Sequence, residues 1–255
     1  MKDTIYTQNR ELSWLRFNER VLEEAREKNV PAFEKLKFIS IFTSNLDEFF
    51  MIRVGSLYDQ TFLSKPQIDN KTGMDAAEQL SEIFRAVAPL YKKRDKIYRE
   101  VAGLLCEKGI AHPQMESLTA EERSFAEKYF IADVLPVLSP QIINAHHPFP
   151  HLVNKALYIV LQMKISDKTA YGIIPMPAMQ DRLIFLPGSG MRYVLLEELI
   201  YQYAERVFDN CEINAKSIIC VTRNADINVD GLPDEDEDFR HHMKKVLRKR
   251  SRLAP

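Results

Sequence analysis

The sequence predicts an α+β protein, an N-terminal helical bundle over residues 1–106 followed by a mixed α/β domain over residues 107–255 with short, mostly antiparallel strands. Three observations carry this expectation. Up to about position 106 apolar residues recur at three- and four-residue steps, the spacing that lays a stripe along one helix face. Beyond position 150 the apolar runs shorten, become rich in β-branched and aromatic residues, and stand between Pro, Gly and Asp. Between the two regimes Lys108-Gly109-Ile110-Ala111-His112-Pro113 punctuates the chain, and the domain boundary is placed there.

Asn9 to Lys28 reads as the first helix, with Ser13 as candidate cap and Trp14, Phe17, Val21, Leu22 and Ala25 on one core-facing side. Pro31 suits the first turn of the next helix, where its missing N–H costs nothing. That helix carries Phe33, Leu36, Ile39, Phe42, Leu46, Phe49 and Val54 as a broad apolar stripe, interrupted by the polar cluster around Ser44-Asn45-Leu46-Asp47-Glu48. Ser44 followed by Asp47 and Glu48 reads as a new helix start, with an oxygen acceptor at the cap and acids in the first turn, which sets Asn45 at a helix end. Ser64 to Gly73 lacks periodicity and reads as a loop. From Asp75 to Cys106 helical spacing returns, with Pro89 as a kink site.

In the second domain Thr119-Ala120-Glu121-Glu122 has capping-box spacing and opens a helix running to about Leu135. Strands are expected at residues 157–161, 170–174, 182–186 and 217–221, with a helix from Leu195 to Phe208 between the last two. At the end of the chain, acids over residues 234–238 give way to bases from Arg240 to Arg252, a polarity that matches the dipole of a solvated helix.

Composition narrows the function classes. The chain has 255 residues, 45% hydrophobic and 28% charged, which is enough apolar material for a core and too much for general disorder. A formal net charge of −1 supplies no basic face for counterion release, so a general nucleic-acid binder is disfavoured. Cys106, Cys211 and Cys220 are widely spaced and odd in number, giving neither a disulfide framework nor a CxxC metal site and pointing to a reducing compartment. The first residues lack the apolar core of a signal peptide, and no run approaches bilayer length. A cytoplasmic protein, soluble or peripherally attached to a membrane, is expected.

Candidate chemistry is sparse. His146, His147 and His151 form the densest histidine cluster, but neither cysteine nor acid stands at ligand spacing and Pro148 and Pro150 suit a connecting loop, so no metal or phosphohistidine is assigned to it. His112, His241 and His242 carry no discernible chemistry. Asp47 and Glu48 diverge by about 100° on a helix and suit capping or ion pairing better than sharing an ion. Arg223 and Asp226 read as a salt bridge fixing a turn. No phosphate-loop, dinucleotide, nucleophile-elbow or zinc signature occurs. Asn45 stands out: an amide offers two donors and an acceptor, enough to read a base edge or a ribose, with neighbouring aromatic rings as a stacking face, and it equally suits a helix cap. Arg53, two turns on, is a candidate phosphate-facing residue; Arg16 and Arg20 are further candidates that a solvated helix face explains equally well.

Two blocks, Glu11-Leu12-Ser13-Trp14-Leu15-Arg16-Phe17-Asn18-Glu19-Arg20-Val21-Leu22 and Ser44-Asn45-Leu46-Asp47-Glu48-Phe49-Phe50, together resemble the N-terminal end of the bacterial polyphosphate kinase family. A third, Val221-Thr222-Arg223-Asn224-Ala225-Asp226-Ile227, resembles that family's middle domain. The resemblance implies reversible transfer of the ATP γ-phosphoryl group to inorganic polyphosphate through a phosphohistidine, with Mg²⁺, and it implies that Asn45 contacts ATP. It also implies that the phosphorylated histidine and the Mg²⁺ ligands lie in C-terminal catalytic domains beyond Pro255, so that residues 1–255 alone are inactive and hold no metal. The implied partners are ATP and ADP, polyphosphate, the chain's own catalytic domains and, in the whole protein, further copies of itself, with neither nucleic acid nor a transmembrane segment. The alternative from another class is a structural or dimerisation helical module without a ligand of its own.

Overall fold

The computed structural model describes residues 7–143, 147, 149–165, 168–188, 190–209 and 211–224. These divide into two compact units, residues 7–104 with 222–224, and residues 105–221. A single boundary near position 106 leaves Thr222 to Asn224 in the second domain; in the structure they group with the first, where the Asn224 amide donates to Asp59 Oδ2 at 2.9 Å. Gly55 permits that approach, since a Cβ there would lie 2.2 Å from Asn224 Oδ1.

The first unit is helical. Helix α1 spans Arg10–Glu23 and continues as a 3₁₀ turn over Glu24–Arg26. Its cap is Asn9, not Ser13: Asn9 Oδ1 accepts from the N–H groups of Glu11 and Leu12 at 2.9 and 3.2 Å, while the Ser13 N–H already bonds the Asn9 carbonyl. Buried along α1 and its extension are Leu15, Asn18, Leu22 and Ala25. The expected placement of Trp14 and Phe17 in the core is corrected accordingly, Trp14 being only partly buried and Phe17 49% exposed.

Helix α2 spans Ala32–Phe49, with Pro31 at its N-cap rather than in its first turn. It runs through Ser44 without a break, so Ser44 is not a cap and Asn45 lies within a helix rather than at its end. The segment holds neither Gly nor Pro, and Ile39, Phe42, Leu46 and Phe49 bury one stripe across the polar cluster. The irregularity comes later, as a π turn over Phe50–Val54 leading into helix α3, Gly55–Gln60. Helix α4, Ala76–Cys106, is opened by reciprocal bonds between Asp75 and Glu78, both 2.9 Å, and passes Pro89 on its exposed side. The buried Lys35 ammonium donates to the Ala25 carbonyl at 3.1 Å and to that of Glu27, tying the end of α1 to α2.

The second unit is mixed. Strand β1 is Ile110–Ala111, and helix α5, Ala120–Tyr129, follows the expected capping box, Thr119 and Glu122 bonding each other's backbone at 3.2 and 2.9 Å. The remainder of the predicted helix is a π turn, Phe130–Val134, and a 3₁₀ turn, Leu135–Val137. Strands β2 (Gln141–Ile143), β3 (Leu157–Ile165), β4 (Lys168–Pro175), β5 (Leu183–Phe185) and β6 (Met191–Leu195), helix α6 (Leu196–Gln202) and strand β7 (Glu212–Cys220) complete it. An antiparallel sheet is ordered β2-β4-β3-β7, and a second is ordered β1-β6-β5 with β1 parallel to β6. Phe130, Ile159, Leu161, Met163, Ile174 and Leu199 fill the core between helices and sheet. Gly172 lets β4 face that core closely, because a Cβ there would meet Met163 Cε at 2.2 Å.

Candidate functional site

In the helical unit α1 and α2 enclose a cleft of about 390 Å³ lined by Trp14, Phe17, Asn45, Glu48, Phe49, Ile52 and Arg53. Helical spacing assembles it. Asn45, Glu48, Phe49, Ile52 and Arg53 stand at i, i+3, i+4, i+7 and i+8 along α2 and its π turn, while Trp14 and Phe17 stand at i and i+3 on α1. Phe49, 3% exposed, stacks on Trp14 with ring centroids 4.5 Å apart and planes 6° from parallel, which makes a rigid apolar floor. Phe17 and Ile52, 49% and 41% exposed, leave an open apolar flank.

Asn45 is held by a second amide. Its Nδ2 donates to Asn18 Oδ1 at 3.0 Å, and Asn18 Nδ2 donates to the Phe42 carbonyl at 3.0 Å. Asn18 is fully buried. Asn45 is therefore an internal helix residue anchored to α1 through its side chain, with its own Oδ1 at the end of the relay.

Of the four residues singled out in the sequence, the structure brings Asn45 and Arg53 into one cleft. Arg20 sits beside it, its guanidinium 5.8 Å from the Phe17 ring centroid. Arg16 is elsewhere: it bonds Gln8 Oε1 at 3.3 Å and lines a separate groove of about 260 Å³ with Glu19, Glu82 and Arg85. Sequence reasoning missed Asn18, Glu48 and Ile52 as parts of the site. The signal for Asn18 was a polar residue at the fourth step of the Trp14-Phe17 pair, on a face counted by apolar residues alone.

The other candidates contribute no constellation. Among the described residues no group of three or more His, Cys, Asp or Glu could hold a metal ion. His147 and His151 are exposed. His146, Asp226, His241, His242 and the acidic-to-basic run at 234–252 lie outside the described residues. His112, given no role from the sequence, has a structural one: its Nε2 lies 2.7 Å from Glu198 Oε2 and its ring stacks on Tyr193 at 5.1 Å. The hydrogen bond to Glu198 holds His112 above its ordinary value of 6.5. Burial works to raise Glu198, but the bonds from His112 and the Leu195 N–H prevail and lower it. Nearby, Arg192 bonds the buried carboxylate of Glu122 at 2.5 and 3.2 Å and Arg182 bonds that of Glu197 at 2.5 to 3.1 Å. Each of these groups ends on its partner, which suits structural pairing.

Comparison with known proteins gives the same direction along the whole chain. Residues 7–112 match the polyphosphate kinase N-terminal domain and residues 121–255 the polyphosphate kinase middle domain. A polyphosphate kinase of Bacillus cereus is 39% identical across 98% of this chain, and one of Staphylococcus epidermidis 37% across 96%. The chain spans 37% and 33% of those relatives, about a third of their length. The crystal structure of polyphosphate kinase from Porphyromonas gingivalis superposes with a TM-score of 0.74 at 25% identity, over 98% of this chain and 38% of that one. With both domain descriptions matched in order and the helical and mixed units shared with a solved relative, the chain belongs to the polyphosphate kinase family.

Proposed function

We propose that the cleft between α1 and α2 holds the adenosine end of ATP for a polyphosphate kinase, an enzyme that reversibly moves the ATP γ-phosphoryl group to inorganic polyphosphate through a phosphohistidine. The observation that carries this reading is Asn45, whose amide is fixed from behind by Asn18 and whose Oδ1 ends the relay in a cleft with an aromatic floor and an arginine at its edge. A base packs on the apolar flank of Phe17 and Ile52, Asn45 meets its polar edge or the ribose, and Arg53, with Arg20 beside the cleft, offsets phosphate charge. Arg16, in its own groove, has no part in it. Mg²⁺ and the histidine nucleophile belong to catalytic domains of the whole protein, with ATP, ADP and polyphosphate as partners and self-association as its assembly, in the cytoplasm or peripherally at a membrane. Phosphoryl transfer rests on positioning and charge neutralisation, so a separate domain gripping the nucleoside is physically reasonable.

Asn45→Ala should weaken ATP binding by this chain about two- to tenfold, the worth of one neutral hydrogen bond, and in the whole enzyme the loss should fall on KM because the contact is remote from the transferred group. Asn45→Asp should do no better, since it sets a carboxylate against Asn18 Oδ1 where an N–H now donates. Equilibrium dialysis with ATP checks both, and an Asp variant of native affinity would contradict the assignment. The chain incubated with ATP and Mg²⁺ should make no polyphosphate. A second reading, a dimerisation module without a ligand, is favoured by the exposed Phe33, Ile41 and Phe62; absence of ATP binding together with self-association in sedimentation would select it.

A further inference from the structure

Asn18 is a fully buried amide at a helix position where Leu would fill the same space without desolvating a polar group. Its two bonds have a direction. A backbone carbonyl can only accept, so the Phe42 oxygen, 3.0 Å away, draws Asn18 Nδ2 toward itself and turns Asn18 Oδ1 toward Asn45. Oδ1 can in turn only accept, so Asn45 must offer it Nδ2, at 3.0 Å, and leave its own Oδ1 to the cleft. Reversing the Asn45 amide would oppose two oxygens at a part-buried site, and reversing Asn18 would oppose its oxygen to the Phe42 carbonyl at a buried one. The orientation of an otherwise reversible amide is thus anchored to a main-chain atom that cannot turn over.

We infer that Asn18 is a positioning residue for nucleobase choice, holding Asn45 so that the cleft presents a hydrogen-bond acceptor and selects a purine with an amino donor at its 6-position over one with an oxygen there. The inference rests on the nucleotide reading of the cleft. Adenine carries a 6-amino donor beside the N7 acceptor, whereas guanine carries an oxygen at that position and so presents two acceptors. A fixed Oδ1 welcomes the first and repels the second; an Asn45 free to rotate would discriminate less.

Trp14 is the chain's one tryptophan and lines the cleft, so its fluorescence reports occupancy. The 255-residue chain is titrated with ATP and with GTP as wild type, Asn18→Leu, Asn18→Asp, Asn45→Ala and the Asn18→Leu/Asn45→Ala double variant, with thermal melts alongside. The wild type should prefer ATP. Asn18→Leu should reduce that preference about two- to tenfold, one neutral hydrogen bond of discrimination. Asn18→Asp should retain it as the neutral acid that burial favours, its O–H donating to the Phe42 carbonyl while its carbonyl oxygen still accepts from Asn45. In the Asn45→Ala background Asn18→Leu should change the preference no further, which a merely structural role would not give. An ATP preference unmoved by Asn18→Leu, alongside weakened ATP binding by Asn45→Ala, would overturn this inference and leave the nucleotide reading standing. Loss of any saturable ATP response in the wild type would overturn both. Should Asn18→Leu not fold, side-chain amide NMR of the wild type decides. ATP shifting the Asn45 and Asn18 amides more than GTP supports the inference, and equal shifts refute it.

Discussion

In the helical unit a fully buried amide, Asn18, donates to the Phe42 carbonyl and accepts from Asn45, and the chain of bonds stops at a residue that lines a cleft. In the mixed unit the buried carboxylates of Glu122 and Glu197 are each closed by an arginine, Glu122 also by the N–H of Thr119, and His112 is closed by Glu198. Both units obey the rule that buried polar atoms need partners. The difference lies in where each network ends. A network closed on itself stabilises and specifies a fold, whereas one with an end in an aromatic-floored cleft can also meet a ligand. Placing function in the helical unit rests on that contrast.

The contrast is sharpened most by paired core truncations. Phe49→Ala and Phe130→Ala, 3% and 0% exposed, should each cost about 3 to 5 kcal/mol in denaturant unfolding of the unit that holds it. Only Phe49→Ala should also remove the nucleotide response, because Phe49 is the partner of Trp14 in the cleft floor. Equal loss of nucleotide response from Phe130→Ala would break the comparison.

A smaller effect is expected from Glu122→Ala, which removes the Thr119 capping box together with the Arg192 pair. Bonds to a charged group carry roughly 1.5 to 3 kcal/mol, and a melt should show a loss of that order with ATP affinity untouched.

The smallest effect concerns pH. His112 is raised in the folded state, so its contribution is full below its ordinary 6.5 and is lost as pH rises through the higher folded value. Glu198 is lowered, so its contribution is present above 4.5 and is lost as pH falls through the lower folded value. The pair therefore stabilises most between those values. With side chains 21% and 32% exposed it is screened, and the gain should stay under about 1 kcal/mol. Melting temperatures of wild type and His112→Asn across pH 4 to 9 should differ most inside that window, and a constant difference would show that the ion pair contributes nothing.

The fold class was legible because period 3.6 and period 2 are written by the apolar residues, and the Thr119 capping box because both of its partners are local. Strands β1, β2 and β6 were not legible. Two to five residues carry too little alternation, and their pairing is decided by distant partners such as β4 and β5. At the cleft, the nearness of Arg53 to Asn45 could be read from their two-turn spacing on one helix, but Trp14 and Phe17 were assigned to the core because counting apolar residues alone rotates the face of α1 by about one position. The position that corrects the rotation, Asn18, is polar, and its burial is intelligible only through Phe42 and Asn45 on another helix. Ser44 misled for a related reason: a cap signature mid-helix is overruled when the apolar stripe beneath it continues through Leu46 and Phe49.

The central claim, that the α1–α2 cleft takes the nucleoside end of ATP, is tested most directly by Trp14 emission while the chain is titrated with ATP, adenosine and inorganic tripolyphosphate in parallel. The expected result is a saturable change with ATP, reproduced more weakly by adenosine and not by tripolyphosphate. An emission spectrum indifferent to ATP, or a response that tripolyphosphate reproduces while adenosine does not, would contradict it.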